Sequence, residues 1–281
     1  MPPPSDETDE KRLLARARAG GRTAFGALVT RHDAALRAYL HRLTAHRADA
    51  DDLAQETWLR VQRRLKAFDG RAAFRTWLFA IATNLARDHW RARRRWREDA
   101  QDQARALAES TPGAPEGLRQ VAAGSPRGRY ELREHVGFCF TCVMKTLPLA
   151  QHVALLLVEV HGFKDREAAD VMGVSLARLK HLLHAARATM NRVFAQRCAL
   201  VGKTGACHQC SELNGFFNGD QSREQARVAA LQRALTRGGE ERLLRLRAAL
   251  VREVDPLQGP GADLQDAIMR LVHRAVARRR G

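Results

Sequence analysis

Between Ala24 and Leu43 the apolar residues Phe25, Leu28, Val29, Leu36, Leu40 and Leu43 recur at helical spacing, and strand-like alternation is almost absent from the chain. A sequence patterned this way can bury its apolar side chains only as stripes along helices, so the fold class is all-α. A second stripe, Leu53, Thr57, Trp58, Val61, Leu65 and Phe68, leaves Asp52, Gln55, Glu56 and Arg63 facing outward. Phe68-Asp-Gly-Arg71 then breaks the pattern with an Asp-Gly turn signal. The next helix buries Phe74, Trp77 or Leu78, Ile81 and Leu85 before it runs into a cluster of arginines.

Composition divides the rest. Residues 1–9 are polar and proline-rich and read as a disordered N-terminus, followed by a first helical unit over 10–97. From 98 to 129 the pattern dissolves into Gln, Ala, Ser, Pro and Gly, including Thr111-Pro-Gly-Ala-Pro-Glu-Gly117, which reads as a flexible linker. A second helical unit covers 130–197, a Cys/Gly-rich segment 198–219 and a helical C-terminal extension 220–281. In the extension Val228, Leu231, Leu235, Leu243, Leu244, Leu246, Leu250 and Val251 form an amphipathic stretch, and Pro256-Leu-Gln-Gly-Pro-Gly261 precedes a last helix with Ile268, Leu271 and Val272.

The 48 Lys+Arg against 31 Asp+Glu leave a formal charge of +17. Such a balance favours a polyanionic partner, because neutralising phosphates releases condensed counterions. No apolar run approaches the roughly 18 residues that cross a bilayer, and Met-Pro-Pro-Pro-Ser-Asp-Glu lacks the features of a signal peptide, so a cytoplasmic protein with no membrane partner is expected. In that compartment the five cysteines are expected as thiols, metal ligands or redox sensors rather than structural disulfides.

All four tryptophans, Trp58, Trp77, Trp90 and Trp96, fall in the stretch that opens with Asp49-Ala-Asp-Asp52 and closes with Arg91-Ala-Arg-Arg-Arg-Trp-Arg97. Aromatic rings interleaved with guanidiniums suggest a nucleic-acid surface. Farther on, Gly162-Phe-Lys-Asp-Arg-Glu-Ala-Ala-Asp-Val-Met-Gly-Val-Ser-Leu-Ala-Arg-Leu-Lys180 has the layout of a helix-turn-helix. Glu167 to Met172 forms its first helix, Gly173 permits the tight turn, Ser175 caps the second helix, and Leu179 and Leu183 anchor that helix in the core.

Two nucleic-acid-facing units in this order resemble a bacterial sigma factor. Asp49-Ala-Asp-Asp-Leu-Ala-Gln-Glu-Thr-Trp58 and Phe74-Arg-Thr-Trp-Leu-Phe-Ala-Ile-Ala-Thr-Asn84, with Asp88 and Arg91, are similar to region two of the extracytoplasmic-function group. Leu147-Pro-Leu-Ala-Gln151 through Arg187 is similar to region four.

The resemblance implies two small helical domains, a region-two bundle and a region-four helix-turn-helix, in a protein that binds core RNA polymerase and directs promoter recognition and opening. It implies that Asp51, Asp52, Gln55 and Glu56 dock on the polymerase, an alternative to a solvated face capped by Asp49 or Asp51. Arg75 and Asn84 then read the melted minus-ten strand, with Trp77 either stacking on a base or filling the core, while Arg87, Arg91, Arg94 and Arg95 hold phosphates. In region four Ser175, Arg178, Lys180, His181, His184 and Arg187 face promoter DNA.

The chain departs from the family pattern at Lys164, where a capping hydroxyl is common, so Asp165 is expected to cap instead. It departs again at Leu182 and Ala185, where the family's recognition helix commonly has arginines. An anti-sigma partner also follows from the family, and the C-terminal extension is expected to pack against one domain in its place or beside it.

Cys139-Phe-Thr-Cys142 and Cys207-His-Gln-Cys210 have the paired spacing of a zinc site, with a redox switch and buried thiols as the other readings. An autonomous helix-turn-helix regulator would account for the second unit but leave the acidic and tryptophan-rich helices without a role. A nuclease would need carboxylates gathered at metal-binding spacing, and the Asp49, Asp51 and Asp52 group has no partner motif. No catalytic activity is expected.

Overall fold

The computed structural model describes residues 4–91, 96–123, 132–198, 222–259 and 262–278. Among these residues there are twelve α-helices and no strand, as the periodicity requires. The first unit comprises α1 (Pro4–Arg18), α2 (Arg22–Thr44), α3 (Arg47–Arg64) and α4 (Phe74–Arg91). α5 (Ala100–Ser110) and α6 (Ala114–Ala123) lie in the connection. The second unit holds α7 (Leu132–Met144), α8 (Leu149–Leu155), α9 (Asp165–Met172) and α10 (Leu176–Arg197), and the extension α11 (Ser222–Arg252) and α12 (Ala262–Arg278).

The expected stripes are buried. Leu28, Leu36, Leu40 and Leu43 of α2 pack with Leu53, Thr57, Trp58 and Val61 of α3, and α4 adds Phe74, Leu78, Ile81 and Leu85. Tyr39 is fully enclosed and donates to Thr83 Oγ1 across 2.7 Å, while Thr83 donates to the Phe79 carbonyl. Burial raises the Tyr39 hydroxyl, so it stays a neutral donor that fastens α2 to α4.

Two segments carry more structure than their composition suggests. Helix α1 begins at Pro4, not near Glu10, because proline suits a first helical turn and Asp9 and Glu10 are tied to α2 through Arg31 and His32. The segment expected as a flexible linker contains α5 and α6. Ala100 and Ala104 of α5 are buried against α12, with Leu107 half-buried beside them, so a stripe of mostly small residues lets the two helices approach closely.

Cations from one unit cap helix C-termini of another. The last carbonyls of a helix have no intrahelical donor, and the dipole there favours positive charge. Arg42 of α2 donates to Val251 O and Val254 O at the end of α11, at 3.0 and 2.7 Å. Arg42 is 4% exposed; burial lowers it to about 10, with Asp255 opposing, so it remains charged at neutral pH. Lys145, after α7, donates to Leu43 O near the end of α2 at 3.1 Å.

Helix α8 continues as a π-helical turn over Leu156–Val160, and Arg252 of α11 donates to the Glu159 carbonyl at 2.6 Å. Buried apolar residues of α2, α3, α4, α7 to α10 and α11 therefore form one continuous core. A second cluster joins Trp96, α5, Phe138 and Cys142 to α12.

Candidate nucleic-acid interface

The turn of the helix-turn-helix forms as its residues demand. Gly173 takes φ 65°, a left-handed value that side chains resist, and ends α9. Ser175 then caps α10, its hydroxyl accepting from the Arg178 N–H at 3.2 Å. The cap of α9 differs from expectation. Glu167, not Asp165, supplies it, its carboxylate accepting from the Lys164 backbone N–H at 2.9 Å, because the N3 position can reach back over the first turn.

Leu179, Leu182 and Leu183 are buried, leaving Arg178, Lys180, His181 and His184 exposed on the opposite side of α10. The burial of Leu182 explains why an arginine is absent there: that position faces the core of this molecule. Arg187 is held differently from the four exposed residues, donating from Nε and Nη2 to Glu159 Oε1 at 2.9 and 2.6 Å.

On α3 the N-cap is His46, whose Nδ1 accepts from the Asp49 N–H at 3.3 Å, rather than Asp49 or Asp51. Asp52 and Gln55 are exposed. Asp51 accepts from Arg37 at 2.5 Å and Glu56 from Arg60 at 2.8 Å, so these two carboxylates are partly neutralised. Arg37 also donates to Asp33, which accepts the Trp58 indole N–H at 2.8 Å. The buried tryptophan and the acidic face are thus linked through one network.

The tryptophans are committed to protein contacts. Trp58 is 8% exposed and packs edge-on against Phe25. Trp90 has the Lys145 ammonium 3.6 Å from its ring centre and His152 edge-on, and Trp96, 4% exposed, meets His273. Trp77 is half-buried against Phe68 and Phe74, with ring centres at 5.0 and 6.0 Å. The general stacking surface suggested by their clustering is not present in this arrangement.

Helix α4 faces the second unit. Arg75 lies 3.9 Å above the Phe163 ring and donates to His161 O at 2.5 Å, at the end of the π-helical turn. Arg87 donates to Met172 O at 2.7 Å, capping the end of α9, and to Asn84 Oδ1 at 3.1 Å. Phe79 packs against Phe163 and His161, and Tyr39 meets His161 edge-on. Asn84 is exposed. The side chain of Arg91, and Arg94 and Arg95 entirely, lie outside the described residues.

Cys139 is half-buried on α7, and Cys142 is buried with its sulfur 4.0 Å from Met269 of α12. Cys207 and Cys210 lie outside the described residues. Among the described residues no three His, Cys, Asp or Glu side chains gather as a metal site. The residues that sequence reasoning missed are Arg42, Lys145 and Arg252, the cations that join the units. Only Lys145 carries a local signal, a charge within the otherwise apolar Cys142-Val-Met-Lys-Thr-Leu147.

The Sigma-70 region 2 family matches residues 28–96, and the sigma-like domain of the response regulator PhyR matches residues 147–192. SigG, an ECF RNA polymerase sigma factor of Mycobacterium tuberculosis, is 32% identical over 167 residues, covering 56% of this chain and 45% of SigG. The chain thus spans about half the length of that relative. The RNA polymerase sigma factor CnrH of Cupriavidus metallidurans is 32% identical over 192 residues, covering 66% of this chain and 94% of CnrH. A solved structure of CnrH in complex with the cytosolic domain of CnrY aligns with a TM-score of 0.48 at 25% identity, over 66% of this chain and 97% of that one. No helix among the described residues is long and apolar enough to cross a membrane. With CnrH matched over nearly its whole length and the region-two family lying on α2 to α4, this chain belongs to the ECF RNA polymerase sigma factors.

Proposed function

We propose that the chain binds core RNA polymerase through the outer face of α3 and directs it to promoters, reading the minus-ten element with α4 and the minus-thirty-five element with α10. The observation that carries the reading is the pairing of an exposed polar α3 face, Asp52 and Gln55 flanked by Asp51 and Glu56, with a capped helix-turn-helix bearing Arg178, Lys180, His181 and His184 on its open side. A helix N-terminus opening on a glycine turn with cations along one side suits entry into a major groove. Phosphate contacts from such cations position the protein, while Asn84 is suited to hydrogen-bond an unpaired base. In this reading the protein works in the cytoplasm and performs no chemistry of its own.

Reconstitution with core polymerase on promoter-containing DNA tests the proposal. The expected result is a stable complex and transcripts with discrete starts that depend on this chain. Binding to duplex DNA without any polymerase complex would instead favour an autonomous helix-turn-helix regulator.

A further inference from the structure

At one end of the first unit cations gather without acidic partners. Arg16 and Arg18 close α1, Arg22 opens α2, and Arg63, Arg64 and Lys66 lie at the end of α3 and in the short 3-10 turn Leu65–Ala67 that follows it. The backbone brings them together. Gly21 donates to Arg16 O at 2.9 Å, an approach that needs glycine because a Cβ there would lie 2.8 Å from the same oxygen, and this folds the start of α2 onto the end of α1. Arg18 donates to Lys66 O at 3.4 Å and ties α1 to the end of α3. All of these side chains are exposed. Other cations of the same helices and of the next turn are neutralised, Arg12 by Asp9 at 2.7 Å, Arg60 by Glu56 at 2.8 Å and Arg71 by Asp69 at 2.5 Å. Among the described residues no carboxylate pairs with any member of the cluster.

Helix ends account for only part of this charge. The C-termini of α1 and α3 each carry about −0.5 of an elementary charge, so together they offset about one of the six cations. Arg22 runs against its own helix: it is the first residue of α2, whose first turn holds no acidic residue, and the positive end of the dipole disfavours a cation there. Roughly five positive charges thus face solvent side by side. Such a face repels itself and gains free energy when a polyanion neutralises it.

The cluster borders the turn that leads into α4, where Phe68 packs against Phe74 and Trp77. It therefore lies at the N-terminal end of α4, whereas the chain leaves α4 at its other end, toward the unit that reads the upstream element. We propose that Arg16, Arg18, Arg22, Arg63, Arg64 and Lys66 form a phosphate-binding surface for the non-template strand just downstream of the minus-ten element. The proposal rests on the sigma-factor reading for the identity of that strand. Guanidinium and ammonium groups hold the backbone without reading bases, so the surface adds affinity for the melted strand and no sequence preference.

The test compares the wild-type chain with the triple variant Arg63→Gln/Arg64→Gln/Lys66→Gln, each in complex with core polymerase. The probes are two fragments of a promoter mapped by the reconstitution above, one whose non-template strand stops at the minus-ten element and one whose strand continues about ten single-stranded nucleotides beyond it, close to the site size of a single-strand-binding module. Affinities are measured by fluorescence anisotropy at several salt concentrations. On the longer fragment the variant should bind about tenfold or more weaker at about 0.15 M salt, with a salt slope smaller by about 2, since each phosphate contact to a single strand contributes about 0.7. On the shorter fragment the two proteins should bind alike. Equal affinity and slope on the longer fragment overturn the proposal, as does an equal loss on both fragments or a loss of polymerase binding itself. If the wild-type chain forms no polymerase complex, the sigma-factor reading fails and the free chain is titrated with a thymidine oligonucleotide of about 20 nucleotides, long enough for such a site. There a slope smaller by about 2 in the variant upholds the phosphate surface, and equal binding or none overturns it. If circular dichroism shows the triple variant unfolded, Arg16→Gln/Arg22→Gln is held to the same criteria with a slope change of about 1.4.

Discussion

Acid should destabilise this protein well above the range in which its carboxylates titrate. His41 on α2 and His135 on α7 are buried, and burial, helped for His41 by the Arg42 guanidinium, pushes them down to about 3 and about 4. His152 and His161 are driven well below 6.5 in the same way, by burial first and then by Lys145 and by Arg42, respectively. In the unfolded chain each imidazole returns to about 6.5. The native state thus binds fewer protons than the unfolded state below pH 6.5, and stability falls as pH falls through that value.

Between pH 7 and pH 5 one such histidine contributes a loss of about 2 kcal/mol, so His41 and His135 together contribute about 4 kcal/mol. The other two act in the same direction. For His135 the loss levels off near pH 4 and for His41 near pH 3. That is a large part of the 5–15 kcal/mol typical of a folded domain. Urea titrations at pH 7.5, 6.0 and 5.0 and constant ionic strength should give a steadily falling unfolding free energy. The His135→Leu variant should fall less steeply. Stability that is flat within about 0.5 kcal/mol over this window, less than the effect of a single such histidine, would refute the buried-neutral assignment.

Gly173→Ala places a side chain at φ 65° with nothing within 4 Å of it, so strain alone should cost about 1–2 kcal/mol, read as a lowered Tm. Asp52→Lys should weaken core polymerase binding about tenfold or more with stability unchanged within about 0.5 kcal/mol, since the residue is exposed. Arg178→Ala should weaken holoenzyme binding to all promoters and lower the salt slope by about 1, whereas Asn84→Ala should change which promoters are preferred. Competition titrations at several salt concentrations distinguish those two outcomes.

The helix-turn-helix was legible because its determinants are local: a glycine that must turn left-handed, a serine two residues on, and leucines at helical spacing. The apolar faces of α2, α3 and α4 were legible for the same reason, although spacing left Trp77 and Leu78 as alternatives and only the packing makes Leu78 the deeper of the two. Local rules also misled. His46 and Glu167 cap α3 and α9 in place of the aspartates expected, because several polar residues compete at each helix start and the backbone path decides among them. Alanine-rich α5 read as linker because small residues reveal a helical face only when a partner such as α12 covers it. The capping cations were out of reach: Arg42 and Val254 are 212 positions apart, and no spacing rule connects them.

In vitro transcription from fragmented genomic DNA, with purified core polymerase and this chain, tests the central claim most directly. The account predicts transcripts from a small set of start sites that vanish when the chain is omitted and when Asp52 is replaced by Lys. Transcription that is the same with and without the wild-type chain, in a mixture where no chain–polymerase complex can be isolated, would contradict it.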